Sequence, residues 1–314
     1  MRLLLFVLLI ISTSVHGSLS DIIEKSLPTT VIVFAFPPQN NVSKIEELLS
    51  DNKRSMTTGT GFFINEYEII TNQHVIDKQG RFIIQRHGST EDEEAELIGY
   101  DQFADVALLR VKTPNKNYLK WRKNEVRIGE DVFTIGHPFG YEYSVSKGII
   151  SNVERRDDEF GFVKVVQSDL AVNKGNSGGA LIDTNGYVVG LIRALVTSNG
   201  GSDGISLAVK PLTVKESIER LRIQKVVTRP SIGIAVMQAV KGVIIIDIIK
   251  DSAADKAGLL LNDIILSVDQ KPIININSLG DIVHTYYPGD MVPFDIIRNN
   301  KHITLKIRFE KIVY

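Results

Sequence analysis

Up to about residue 210 the chain is a succession of short β-branched runs, each closed by Gly, Pro, Asn or Asp. They are "TVIVFAF" (Thr30 to Phe36), "GTGFFI" (Gly59 to Ile64), "EIITNQ", "ADVALLRV" (Ala104 to Val111), "DVFTIG", "GIISNV", "FVKVVQ" and "YVVGLIRAL". Their spacing leaves no room for the crossover helices that a parallel sheet needs, so the pattern predicts an all-β barrel domain. "PLTVKESIERLRIQKVV" (Pro211 to Val227) then places apolar residues at helical intervals and stops before Pro230, which reads as a helix running into a linker. From about Arg229 to Tyr314 a smaller unit mixes strands ("GVIIIDII", "DIILSVD", "VPFDIIR", "HITLKIRF") with two short helices, "SAADKAG" and "SLGDIVHTYY". The expected boundaries are residues 18–212 for the β domain, 213–228 for the helix and linker, and 229–314 for the α+β unit.

The first 17 residues have a different purpose. Met1-Arg2 makes a basic start, Leu3 to Ile11 is unbroken apolar sequence, and Val15-His16-Gly17 has the small-residue character of a signal-peptidase site. A bilayer span needs roughly 20 apolar residues, so a removed signal peptide is expected, with no stable membrane span. The mature chain is then expected outside the cytoplasm, with a bacterial periplasm as the best match, and with no cysteine its fold must stand on core packing and hydrogen bonds rather than on disulfides. A eukaryotic secretory route would make "NVS" at Asn41 to Ser43 a glycosylation acceptor. With 36 basic and 37 acidic side chains the net charge is −1, which excludes an electrostatic footprint for nucleic acid.

Within this apolar sequence "VNKGNSGGAL" (Val172 to Leu181) sets three glycines around one serine. A serine hydroxyl is a poor nucleophile until a base takes its proton, and the oxyanion that forms needs preset N–H donors. A glycine at 175 lets the N–H groups of Gly175 and Ser177 converge on one point, and Gly178 and Gly179 leave space for a substrate. Taken alone, the stretch also suits a glycine-rich hairpin turn. Upstream, "EIITNQHVI" places His74 at the end of an apolar strand and "DQFADVALLRV" places Asp105 at the start of another. His, Asp and Ser thus occur in the chain order of a β-barrel protease.

The ordered set "GTGFFI", "IITNQHV", "DVALLRV", "IGHPFG", "GIIS", "QSDLAVNKGNSGGAL", "VVGL" and "GISLAV" resembles the successive signatures of the HtrA (Deg) family of trypsin-like serine proteases, across most of residues 28–210. The resemblance implies a chymotrypsin-like double β-barrel, with His74 as general base, Asp105 as the carboxylate that orients it, and Ser177 as nucleophile. It also implies an oxyanion hole from the backbone N–H groups of Gly175, Asn176 and Ser177. By the same match Val172, Leu195 and Ile205 fall on the primary specificity pocket, whose apolar character implies cleavage after small or branched apolar residues. Arg155 matches the family's regulatory-loop arginine, with Arg156 as its rival. His137-Pro138-Phe139-Gly140 stands where the family has Asn-Pro-Phe-Gly, and His137 there reads as a structural turn residue. The remaining histidines have no metal-ligand spacing, so neither metal nor cofactor is expected.

The C-terminal unit resembles the PDZ domain these proteases carry. "SIGI" (Ser231, Ile232, Gly233, Ile234) stands at the carboxylate-binding loop, and "DSAADKAGLLLNDIILSVDQKPI" matches the segment after it, with Ala253 for the usual proline and Asn262 for the usual glycine. Such a domain binds peptide C-termini by adding a strand beside a helix, here "SLGDIVHTYY". The expected function is an extracytoplasmic endopeptidase for unfolded or misfolded proteins, built as a homotrimer or a multiple of it. A chaperone with secondary proteolysis and a stress-sensing protease with one signalling substrate are the alternatives.

Overall fold

The computed structural model describes residues 18–37, 56–77, 80–156, 163–195 and 203–311, and the side chains of residues 194 and 195 are outside that description. The expected signal peptide and the "NVS" site lie outside the described residues.

Six antiparallel strands close the first barrel: β1 (Thr30–Phe36), β2 (Thr57–Phe63), β3 (Glu68–Thr71), β4 (Arg81–Arg86), β5 (Asp92–Asp101) and β6 (Val106–Arg110), in the order β1-β2-β3-β6-β5-β4. The next seven are β7 (Lys120–Trp121), β8 (Asp131–Gly136), β9 (Ser144–Arg156), β10 (Lys164–Ser168), β11 (Ala180–Asp183), β12 (Tyr187–Leu195) and β13 (Ser206–Val209). Their order is β11-β8-β9-β10-β13-β12, and the β11–β12 pairing closes a second six-stranded barrel, with β7 added parallel to β12. Closure leaves no long unpaired edge in either barrel.

Successive strand residues face opposite sides of the sheet, and here both sides are dry. Phe63, Ile69 and Leu109 fill the first barrel, whereas their neighbours Phe62, Ile70 and Leu108 pack with Phe133, Ile135 and Leu191 in the core shared between barrels. That is why these strands read as continuous apolar runs rather than alternating ones. Truncating a side chain such as Phe133, fully buried there, to alanine costs about 3–5 kcal/mol.

A capped helix, α1 (Leu19–Ser26), precedes β1, and a single turn, α2 (Gln73–Ile76), follows β3. After the barrels, α3 (Pro211–Leu221) starts at a proline and buries Val214, Ile218 and Leu221, the i, i+4, i+7 stripe, in the shared core. It is shorter than the expected Pro211–Val227 helix. The chain beyond it pairs with β5, Tyr100 N–H donating to the Lys225 carbonyl at 2.9 Å and Val227 N–H to the Tyr100 carbonyl at 3.0 Å. Gly99 permits this approach, since a Cβ there would lie 2.2 Å from the Lys225 carbonyl oxygen.

The C-terminal unit holds β14 (Pro230–Ser231), β15 (Ile234–Gln238), β16 (Val243–Ile248), α4 (Ala253–Lys256), β17 (Ile264–Val268), β18 (Lys271–Pro272), α5 (Ile276–Val283), β19 (Met291–Arg298), β20 (Lys301–Arg308) and β21 (Glu310–Lys311). Its main sheet runs β15-β16-β17-β19-β20, over a separate core that includes Ile245, Ile265, Leu279, Phe294 and Phe309. The two units meet through buried polar contacts. Arg229 pairs with Asp101, which is fully buried and also accepts from Ser217 Oγ at 2.7 Å, and the His284 ring stands edge-on to Phe103 at 4.5 Å.

Candidate active site

His74 is carried by α2 rather than by the end of a strand. The apolar neighbours Val75 and Ile76 anchor that turn in the first-barrel core, while the His74 side chain stays 47% exposed. Asp105 sits on the turn before β6 with φ 54°, a left-handed conformation that aspartate tolerates better than most side chains. Asn72 Nδ2 holds that turn by donating to the Asp105 carbonyl at 2.9 Å.

Asp105 grips His74 at two points. Its Oδ1 accepts the His74 backbone N–H at 2.9 Å and its Oδ2 lies 2.8 Å from Nδ1. An ionised carboxylate can only accept, so the Nδ1 nitrogen carries the proton and Nε2 presents its lone pair. The Nε nitrogen of Arg193, on β12 and 3% exposed, lies 3.4 Å from the same Oδ2.

Ser177 lies on the turn between β10 and β11. Its hydroxyl donates to the Arg193 carbonyl at 3.4 Å, a long bond. Around it the turn is tied on both sides: Thr60 N–H donates to the Ser177 carbonyl at 2.8 Å, Thr60 Oγ1 to the Gly175 carbonyl at 2.6 Å, and Gly178 N–H to the Ile192 carbonyl at 2.9 Å. Glycine is required at two positions. Gly175 has φ 108° and a Cβ would lie 2.3 Å from the His137 carbonyl oxygen; Gly178 has φ 86° and a Cβ would lie 2.1 Å from the Thr60 carbonyl oxygen.

Of the three N–H groups expected to form the oxyanion hole, that of Asn176 is engaged, donating to the Asn173 carbonyl at 3.0 Å. Among the described residues those of Gly175 and Ser177 donate to no backbone carbonyl. His137 is buried beside this loop. Burial pushes its imidazole below the ordinary value, against a backbone hydrogen bond with Gly175 and the charge of Glu142, so it is neutral at pH 7.

Two of the three expected pocket residues have described side chains. Val172 is buried in the core of the second barrel, Ile205 is exposed before β13, and Leu195 ends β12 with its side chain outside the described residues. Of the two candidate arginines on β9, Arg155 is exposed. Arg156 faces the C-terminal unit, its guanidinium donating to both carboxylate oxygens of Asp281 on α5 at 3.0 and 2.8 Å. Lys164 also reaches Asp281, at 3.2 Å.

In the C-terminal unit Ser231 pairs with Glu310, Ile232 is buried, Gly233 has φ 76°, and Ile234 opens β15. The carbonyls of Ile232 and Gly233 accept from Ala254 and Ile249 at 2.8 and 2.9 Å, which fixes the loop. One edge of β15 is unpaired within its sheet, and α5 packs beside it.

Thr60, Arg193 and Asp281 were not singled out from sequence. A charged residue inside the apolar run "YVVGLIRAL" was the available signal for Arg193; "GTGFFI" held none for Thr60, whose partners are distant in the chain.

Residues 59–191 match the trypsin-like peptidase domain and residues 230–309 the PDZ domain. A DegP-like periplasmic serine endoprotease of Ectopseudomonas mendocina is 33% identical over 269 residues, covering 81% of this chain and 56% of the relative. The chain belongs to the HtrA/Deg family of trypsin-like serine proteases. Another DegP-like relative of this family, from Chlamydia muridarum, is 30% identical over 275 residues, covering 83% of this chain and 55% of the relative. The HtrA-family chain thus spans about half the length of the curated relatives it matches. The serine endoprotease structure from Yersinia pestis superposes with a TM-score of 0.77 at 26% identity, covering 95% of this chain and 99% of that one. The HtrA-type protease AlgW with tripeptide superposes with a TM-score of 0.83 at 23% identity, covering 95% and 98%, a likeness of fold.

Proposed function

We propose that the protein is an extracytoplasmic, periplasmic serine endopeptidase that degrades unfolded or misfolded proteins. The observation that carries this reading is the two-point grip of Asp105 on His74, together with Arg193, whose guanidinium meets Asp105 and whose carbonyl accepts the Ser177 hydroxyl. In the proposed reaction His74 Nε2 removes the Ser177 hydroxyl proton as the oxygen attacks the peptide carbonyl. The oxyanion is met by the Gly175 and Ser177 amides, and the proton passes from His74 to the leaving amine. Asp105 stabilises the imidazolium and holds its tautomer. The Ser177–Arg193 hydrogen bond describes a resting hydroxyl that turns towards His74 when substrate arrives.

Cleavage after small or branched apolar residues is proposed from the apolar side chains at Val172, Leu195 and Ile205, where no carboxylate would attract Lys or Arg. The PDZ domain is proposed to bind hydrophobic peptide C-termini. The free edge of β15, the glycine turn at Gly233 and the neighbouring α5 support strand addition, with the carboxylate held at Ser231 to Ile234. The same α5 carries Asp281, so peptide bound between β15 and α5 acts on the Arg156–Asp281 link and through β9 on the protease domain. Regulation is therefore proposed to run through Arg156 rather than through the exposed Arg155. Periplasmic location follows the names of the relatives, and assembly as a trimer or a multiple of it rests on the family.

The test is incubation with reduced casein beside the Ser177→Ala variant, with cut sites read by mass spectrometry. Cleavage after Val, Ile, Leu or Ala, lost by several orders of magnitude in Ser177→Ala, is expected. Near-parental cleavage in that variant would sink the assignment, and aggregation suppressed equally by both proteins would favour a chaperone.

A further inference from the structure

We propose that Arg193 is a positioning residue for the His74–Asp105 pair, holding the Asp105 carboxylate in the orientation that His74 needs. This rests on the His74, Asp105, Ser177 reading above.

Arg193 is the one charged residue of β12, a strand otherwise apolar apart from Tyr187 and Gly190. A buried guanidinium is costly unless a charge compensates it. The strand is locked to the serine turn: Ile192, its predecessor, accepts from Gly178 N–H at 2.9 Å and donates to the Gly179 carbonyl at 2.8 Å, and the Arg193 carbonyl receives the Ser177 hydroxyl at 3.4 Å. From that fixed backbone the side chain reaches across to the first barrel and places Nε 3.4 Å from Asp105 Oδ2, the oxygen that also serves His74 Nδ1.

Asp105 needs such a partner. Its side chain has two free torsions, and its backbone is in the left-handed region on a turn. Two side-chain hydrogen bonds of Asp105 go to His74, the group it must orient. With His74 alone the pair can rock together; a third contact from the opposite barrel sets the carboxylate in the frame of Ser177. One rigid strand then carries both the serine's resting acceptor and the clamp on the carboxylate. Misplacing a reacting group by about 1 Å costs on the order of 100-fold in rate, which sets the scale of the effect.

The test uses the full chain and a peptide substrate derived from the casein cuts. Arg193→Met removes the charge and the donor while keeping length, and Arg193→Lys returns a cation with a different reach. Steady-state kinetics are read beside the strongly deshielded proton NMR resonance of His74 Nδ1–H, which reports how that proton is held. In Arg193→Met kcat is expected to fall about 10- to 100-fold with KM changed less than about threefold, and the deshielded resonance to broaden or move upfield. Arg193→Lys should recover part of both. If Arg193→Met does not fold, Arg193→Gln carries the same readouts and criteria. A folded variant with kcat within about twofold of the parent and an unmoved resonance overturns the proposal. So does a loss confined to KM or a change in the residue cleaved, which would make Arg193 a wall of the substrate site. Asp105→Asn separates the two levels: if it too cleaves at the parental rate, the triad reading fails. If it is crippled while Arg193→Met is not, only the role of Arg193 falls.

Discussion

Thr60→Val keeps the shape of a fully buried side chain and removes one hydroxyl. That hydroxyl donates to the Gly175 carbonyl at 2.6 Å, across the junction of the two barrels, and so fixes the Gly175–Asn176 peptide. Without it a half-buried acceptor loses its Thr60 donor, at a cost of about 1–3 kcal/mol. The peptide can relieve the cost by turning its carbonyl outward, which glycine at 175 permits, and the amides beside it then leave their aim. An oxyanion donor is worth about 3–4 kcal/mol in the transition state and little in the ground state. The variant should therefore lose about 10- to 100-fold in kcat while KM changes less than about threefold. Its fold should survive, because the Thr60 N–H to Ser177 carbonyl bond at 2.8 Å and the Thr71 Oγ1 to Thr60 carbonyl bond at 2.7 Å are backbone contacts of Thr60 that valine retains. Thr60→Ser, which keeps the hydroxyl, should stay near the parent. Steady-state kinetics on a peptide substrate, with fluorophosphonate labelling of Ser177 as a check independent of substrate, decide the matter. A folded Thr60→Val enzyme with kcat within about twofold of the parent, or a Thr60→Ser enzyme as damaged as the valine, would refute the reasoning.

Two further outcomes follow from the contact between the units. Burial works to raise the Asp281 carboxyl, but the hydrogen bonds from Arg156 and Lys164 outweigh it and hold the group below the usual range. This half-exposed link is worth about 1 kcal/mol, so Asp281→Asn should raise peptide-free labelling of Ser177 about fivefold and blunt the response to a hydrophobic C-terminal peptide, whereas Arg155→Ala should change neither; the reverse pattern would return the switch to Arg155. His284 is pushed down to about 4, by burial first and then by the Arg229 charge, against the pull of Asp281 and Asp101. Its unfolded form binds a proton near 6.5 and its folded form only near 4, so stability is complete above about pH 6.5 and declines as pH falls towards 4, by about 1–3 kcal/mol in total. Urea unfolding at pH 7 and pH 4.5 should show that loss in the parent and a smaller one in His284→Gln, and equal losses would remove His284 as the cause.

Much of the architecture was legible because local chemistry and tertiary demand agree. "TVIVFAF" is β1 to the residue, "SAADKAG" contains α4, and "SLGDIVHTYY" overlaps α5, which starts two residues earlier at Ile276 and ends at Val283. Where they disagree the reading strayed. "RIQKVV" carries on the helical spacing of α3, yet Gly99 lets the backbone of β5 take Lys225 and Val227 as partners, so the helix ends at Leu221. β5 itself, "DEEAELIGYD", was not singled out, since its acidic first half hides a strand whose apolar positions are few.

For the candidate site, the sequence by itself determined residue type and order: a histidine, an aspartate, then a serine among glycines, with conformations at Gly175 and Gly178 that a side chain would obstruct. Those are local properties, set by what one residue can do with its own backbone. Only the tertiary structure decided which long-range partners complete them. Thr60 meets Gly175 across 115 positions, Arg193 comes from another barrel to the oxygen of Asp105 that His74 uses, and Arg156 rather than its neighbour Arg155 reaches Asp281 across 125 positions. The last choice shows the physical reason. Adjacent residues of a strand face opposite sides, so two arginines that are equivalent in composition are separated by which face of β9 the rest of the chain covers.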